Sequence, residues 1–225
     1  GPIPPLMNSA APQPGSGGRI HTDPATRRII VAITGATGAI FGIRLLEVLA
    51  QLPGIQTHLI MSKWAKVTIE NETGYTANQV AALADHHHSN ADQAASVSSG
   101  SFLVDAMVVV PCSMKTLAQI RLGLADELVA RAADVTLKEG RQLVLVPREI
   151  PFNQAHLEHM LALARQGVRI AAPVPAFYNR PESVEDIVDH IVGRILDQLG
   201  IHTTIVKRWN GLAAQRHNDR SETAQ

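Results

Sequence analysis

Apolar positions fall into two alternating patterns along this chain. Short unbroken runs at 28–33 (RIIVAI), 57–61, 106–111 (AMVVVP) and 142–147 (QLVLVP) have the length and β-branched content of strands buried on both faces. Between them the spacing lengthens. Ile43, Leu45, Leu46 and Leu49 predict a helix over 42–51, stopped by Pro53-Gly54. Further helices are predicted at 62–71, 114–122, 126–137 and 154–166, and a long final one at 183–199. Residues 169–172 read as a fifth strand, while 76–99, Ala-rich and polar, reads as a short helix and a loop. Strands alternating with helices predict an α/β fold, a parallel sheet with crossover helices on both faces.

The ends of the chain depart from this pattern. Residues 1–26 mix Pro, Gly and Ser and lack the apolar block of a secretory signal. They read as a flexible lead, with Met7 the expected natural start and residues 1–6 a cloning remnant. Residues 27–209 read as one domain and 210–225 as a polar, flexible tail. No run approaches the roughly 20 apolar residues of a membrane span. With 20 basic and 20 acidic side chains the formal net charge is +0, which disfavours a dedicated nucleic-acid binder or a basic membrane-surface protein. Any phosphate must be met locally. The single cysteine, Cys112, excludes an internal disulfide framework and a Cys-rich metal site, and a cytoplasmic location is expected.

In an open α/β sheet, ligands bind beyond the carboxyl ends of the strands, so the residues after each strand carry the chemistry. After the first come Thr34-Gly35-Ala36-Thr37-Gly38-Ala39, where glycines allow close approach of backbone amides to an anion at a helix start. The glycine spacing departs from the dinucleotide fingerprint, and the second strand ends in Met61-Ser62-Lys63 rather than in an acid, so a mononucleotide is favoured over NAD. The third strand leads into Pro111-Cys112-Ser113-Met114-Lys115-Thr116 and the fourth into Pro147-Arg148-Glu149, which sets a cation beside an acid. Pro173 to Pro181 (PVPAFYNRP) forms a rigid aromatic loop after the fifth.

Taken together, TGATGAIFGIRLLE, SKWAKVTIENET, SSGSF, PCSMKTLAQI, ARAADVTLKEGRQLVLVPRE, HLEHML and PAFYNRPESVEDIVDHIVGRILDQLGI resemble the UbiX/Pad-type flavin prenyltransferase family, including the Pad-like partners of non-oxidative aromatic acid decarboxylases. The likeness runs from about Arg28 to Trp209. It implies a Rossmann-like three-layer αβα flavoprotein fold. The implied activity joins the dimethylallyl group of dimethylallyl monophosphate to N5 and C6 of reduced FMN. Prenylated FMN then serves a UbiD-type decarboxylase. No metal is implied, and the implied assembly is a homo-oligomer, a dodecamer built from trimers with sites at subunit junctions.

By the same resemblance, Gly35, Ala36, Thr37, Ser62, Ser113, Thr116 and Arg131 bind FMN. Lys138, Arg148, Tyr178 and Arg194 contact the prenyl phosphate, as three cations around a departing dianion should. Glu149 handles a proton at the leaving phosphate or at N5, Glu72 holds the geometry or charge of the site, and Trp209 belongs to a terminal segment that covers it. Thr37 replaces a Ser of some relatives, Phe41 a frequent Tyr, and Gly140 an Arg of the UbiX branch; these bear on branch identity rather than reaction type.

Other residues attract less interest. His86-His87-His88 reads as a solvated loop, Cys112 as a buried apolar group and Arg44/Glu47 as a surface pair. Met114 is either core or a flavin contact. Two other function classes stay open. One is a flavin-containing cysteine decarboxylase, whose PASANT-type motif this chain lacks; the other is a non-catalytic FMN-binding partner of a decarboxylase.

Overall fold

A computed structural model describes residues 26–206, and the expectations for the lead, the tail and Trp209 fall outside them. The chain forms two compact units that divide between Ala172 and Pro173. In the first, six parallel strands, β1 (Arg27–Ile33), β2 (Ile55–Met61), β3 (His86–Ser89), β4 (Ala106–Cys112), β5 (Gln142–Pro147) and β6 (Arg169–Ile170), lie in the order 3-2-1-4-5-6. The order reverses between β1 and β4, which opens a crevice at their carboxyl ends.

The central strands are apolar throughout because both faces are covered. β4 is buried at every position, as is β1 from Ile29 onward. One face of the sheet, carrying Ile30, Ala32, Ile60, Met107, Val109, Leu143 and Leu145, packs on α4 (Met114–Leu122), α5 (Leu128–Lys138) and α6 (Gln154–Arg165). Alternation along β1 sends Ile29, Val31 and Ile33 to the other face. There α1 (Ala39–Ala50) lies on the sheet and contacts α2 (Lys63–Glu72). Each buried Val, Leu, Ile or Met among these contributes roughly 1.5–3 kcal/mol, which compensates for the scarcity of rings. Gly42 lets α1 sit low on the sheet, since a Cβ there would come within 2.5 Å of the Val110 carbonyl.

The helices start where their caps dictate. Ser62 opens α2 and Ser113 opens α4, each accepting from the third amide of its helix. Asn153 and His156 form a capping box on α6, and Gly123 in the left-handed region ends α4.

Two elements depart from the sequence expectation. The 76–99 stretch holds α3 (Ala77–Ala81), the edge strand β3 and a 3-10 turn at Ser96–Ser98. The histidine run is therefore a strand, although its first two residues are exposed. It pairs in register with β2, and the buried His58 ring stacks on His86 at 4.6 Å and on His88 at 5.2 Å. The fifth predicted strand shortens to the two residues of β6.

In the second unit, α7 (Val184–Gln198) is capped by the Ser183 hydroxyl and carries Glu185 and Asp186 in its first turn, favourably placed for the helix dipole. No described helix is long and apolar enough to cross a membrane.

Candidate active site

The sheet's hydrogen bonding continues past the strand ends and ties four loops together. Ser62 donates its amide to the Ile33 carbonyl at 3.1 Å, and Arg148 its amide to the Cys112 carbonyl at 3.2 Å. The buried Thr34 hydroxyl bridges the crevice, donating to the Pro111 carbonyl at 2.7 Å and accepting from the Ser113 amide at 2.9 Å. The residues after β1, β2, β4 and β5 are thereby fixed around one pocket of about 440 Å³. That lies within the roughly 300–1,000 Å³ of small-molecule sites.

Two helices point their amino ends at this pocket. In α2 the Ser62 hydroxyl accepts from Ala65, and in α4 the Ser113 hydroxyl accepts from Thr116. Among the described residues the first two amides of each helix, at Lys63 and Trp64 and at Met114 and Lys115, find no protein acceptor, and all four residues line the cavity. Such ends attract anions. The close seating of α2 requires Gly35, where a Cβ would stand 2.5 Å from that of Trp64.

The third helix start is occupied by the protein itself. Gly38 (φ 98°) opens α1 without a side-chain cap, and the Glu72 carboxylate accepts from the amides of Gly38 at 2.9 Å and Ala39 at 3.4 Å, and from the Thr37 hydroxyl. The glycine loop's amides at 38 and 39 thus hold a carboxylate of this chain, where the sequence suggested a ligand anion.

Charge in the pocket wall comes from Lys63, Lys115 and Arg148 against Glu127 and Glu149, a small positive excess. Among the described residues no carboxylate pairs with Arg148, and Glu149 accepts from the Ile150 amide at 2.9 Å. Cys112 is fully buried and its thiol is pushed up to about 12 by that burial, so it supplies no thiolate.

Of the residues singled out from the sequence, Gly35, Ala36, Thr37, Ser62, Ser113, Thr116, Arg148 and Glu149 line this pocket together. Arg131 lies one turn into α5, with its guanidinium on Asp134 (3.5 Å) and the Ser98 carbonyl (3.3 Å), outside the lining. Lys138 ends α5 and pairs with Glu139 at 3.3 Å. It precedes β5 whereas Arg148 follows it, so the two sit at opposite ends of that strand, about 20 Å apart for a six-residue strand. In the second unit, Tyr178 meets His190 through its hydroxyl at 3.3 Å, and Arg194 pairs with Asp197 at 2.8 Å. The sequence reading missed Lys63, Trp64, Lys115, Gln119 and Glu127 in the wall. Lys63 and Lys115 were findable, since each stands within two residues of a serine cap at a strand end. Met114 both lines the pocket and packs on the core. Among the described residues no group of three or more His, Cys, Asp or Glu could hold a metal ion.

The Flavoprotein family model matches residues 19–196. A probable UbiX-like flavin prenyltransferase of Escherichia coli O157:H7 is 61% identical over 190 residues, 84% of this chain and 96% of that protein. The crystal structure of a dodecameric FMN-dependent UbiX-like decarboxylase from the same organism superposes with a TM-score of 0.80 at 62% identity, covering 82% of this chain and 100% of that one. That of AnUbiX (PadA1), in complex with FMN and dimethylallyl pyrophosphate, also gives 0.80 at 55% identity, covering 83% and 98%. With both its sequence and its fold shared over most of its length, the chain belongs to the Flavoprotein family and, within it, to the UbiX-like flavin prenyltransferases.

Proposed function

We propose that this chain joins the dimethylallyl group of a dimethylallyl phosphate to reduced FMN, at N5 and C6, to make prenylated FMN. One observation carries the reading: Arg148 and Glu149 share a single pocket with two amide-rich helix starts and the Ser/Thr set of the β1, β2 and β4 loops. A flavin mononucleotide fits this donor set. Its phosphate would take the amides and hydroxyls of Ser62 and of Ser113 with Thr116, and Gly35, Ala36 and Thr37 would give its flat ring a wall without bulky side chains. Reduced FMN supplies the nucleophilic ring that accepts the prenyl group.

The chain's own residues then act on the leaving group. The C–O bond to phosphate breaks as the first bond to the ring forms. Arg148 stabilises the negative charge gathering on the departing oxygen, with Lys138, Tyr178 and Arg194 as further phosphate contacts. Glu149, the next residue along the chain, takes or returns a proton at the phosphate or at N5 in this reading. Trp209 covers the site in this reading and excludes water from an allylic cation. Because Lys138 and Arg148 lie at opposite ends of β5, the proposed site draws Lys138 from a neighbouring subunit of a dodecamer built from trimers. A cytoplasmic enzyme passing its product to a UbiD-type decarboxylase completes the proposal.

The test is anaerobic. Protein loaded with FMN and chemically reduced is mixed with dimethylallyl monophosphate or, separately, the pyrophosphate, and the released flavin is weighed by mass spectrometry. A mass gain of one dimethylallyl unit, carrying two new bonds to the ring, is expected with the monophosphate. An unchanged flavin with both donors overturns the proposal.

A further inference from the structure

Asn90 lies just beyond β3, outside the pocket, yet it grips the segment that delivers Glu127 into the pocket wall. Its carbonyl accepts from the Leu128 amide at 2.8 Å, its side-chain Oδ1 accepts from the Val129 amide at 3.0 Å, and its Nδ2 donates to Glu127 Oε2 at 3.2 Å. Gln93, three residues on, donates to the Asp126 carbonyl. Glu127 itself is the cap residue of α5 but makes no side-chain bond to its own helix.

That last point is informative. A carboxylate at a helix cap ordinarily folds back onto the second or third amide of the helix. Here Asn90 Oδ1 already occupies the second, at Val129, so one of the carboxylate's two usual partners is taken. Asn90 Nδ2 then holds one carboxylate oxygen, while the residue contributes to a wall shared with Thr116, Gln119 and Arg148. A half-buried carboxylate held by a single amide retains acceptor capacity on its second oxygen.

We propose that Asn90 is a positioning residue, holding Glu127 as a ligand-facing acceptor for a polar hydrogen, an O–H or N–H, of the bound flavin. The inference rests on the pocket being the flavin site. Neither residue touches the leaving phosphate, so the consequence falls on flavin affinity rather than on the chemical step.

The experiment is a double-mutant cycle on FMN binding, read by flavin fluorescence, with thermal stability measured alongside. Asn90→Asp is the discriminating variant, because aspartate keeps the acceptor for Val129 but sets a carboxylate against Glu127. It is expected to keep the melting temperature near wild type while raising the FMN Kd about three- to tenfold, the range of one lost hydrogen bond. Glu127→Ala is expected to raise Kd by a similar factor, and Asn90→Ala to do so only when Glu127 is present. Equal effects of the Asn90 changes with and without Glu127, or an unchanged Kd in every variant, overturn the inference while leaving the flavin site standing. Failure of the wild-type protein to bind FMN at all overturns the flavin reading itself.

Discussion

The carboxylate of Glu72, at the end of α2, accepts a hydrogen bond from the amide of Gly38, which opens α1, at 2.9 Å. A side chain thirty-four residues away thus performs the capping that glycine cannot, and it also receives the Ala39 amide and the Thr37 hydroxyl. Substituting Glu72→Ala removes the cap and is expected to cost about 1 kcal/mol of stability. It also frees three donors for an anion. Inorganic phosphate should then raise the melting temperature of the variant more than that of the wild type. Equal responses to phosphate in thermal melts would show that the carboxylate is not what closes this helix end.

The Gly35 position is equally exposed to a direct test. An added methyl would meet the Trp64 Cβ at 2.5 Å, and Trp64 is the second residue of α2, so this neighbour is fixed to the helix backbone and cannot simply swing aside. Gly35→Ala should therefore push the α2 amides out of line, costing roughly 1–3 kcal/mol of stability and most of the flavin affinity. Fluorescence titration with FMN measures the second effect; wild-type affinity in a folded variant would contradict it.

Catalysis and binding separate at Glu149. The proposed proton role predicts that Glu149→Gln keeps FMN bound but slows prenyl transfer by about 10²- to 10⁴-fold. Single-turnover mass spectrometry of the flavin gives the rate. A variant as fast as wild type would transfer that role elsewhere.

Much of this arrangement was legible because strands buried on both faces leave an unmistakable apolar signature. QLVLVP at 142–147 could be read to the residue, and its end located Arg148 and Glu149 at the pocket. The β3 edge strand was not legible, because His-His-His-Ser has no apolar period; its ladder partner, and the stacking of His58 on its rings, come from tertiary contact alone. Glu127 was missed for a similar reason. It begins a helix rather than following a strand, and what turns it to use is Asn90, thirty-seven residues away. The Glu72 cap is likewise a contact between the end of one helix and the start of another, with no local sequence trace.

Lys138 and Arg148 bracket β5, so no rotation of side chains within one subunit unites them. If they act on one phosphate, they come from different subunits. Lys138→Ala and Arg148→Ala enzymes, each inactive alone, should then recover activity when dissociated and reassembled together. Random mixing gives about a quarter of the sites both intact residues. No recovery in verified mixed assemblies would remove Lys138 from the proposed phosphate set.

The histidine stack makes stability depend on acid. His58 is buried, and its pKa falls from 6.5 to about 4, first through that burial and then through repulsion from His86, His88 and Arg28, with Asp85 opposing. His88, whose Nε2 lies 2.9 Å from His58 Nδ1, is lowered as well, chiefly by burial. Between about pH 6.5 and 4 the unfolded chain therefore holds a proton on residue 58 that the native state refuses, and stability must fall as pH falls through this window. One such proton corresponds to a slope of about 1.4 kcal/mol per pH unit. His58→Phe keeps a ring for the stack and cannot titrate, so its urea-derived stability should lose up to that much of the slope across the window. It should also be less stable than wild type above pH 7, because His88 and Gln56 each lose a hydrogen bond there. Identical slopes in the two proteins would show that the imidazole at 58 takes up its proton in the native state as readily as in the unfolded chain.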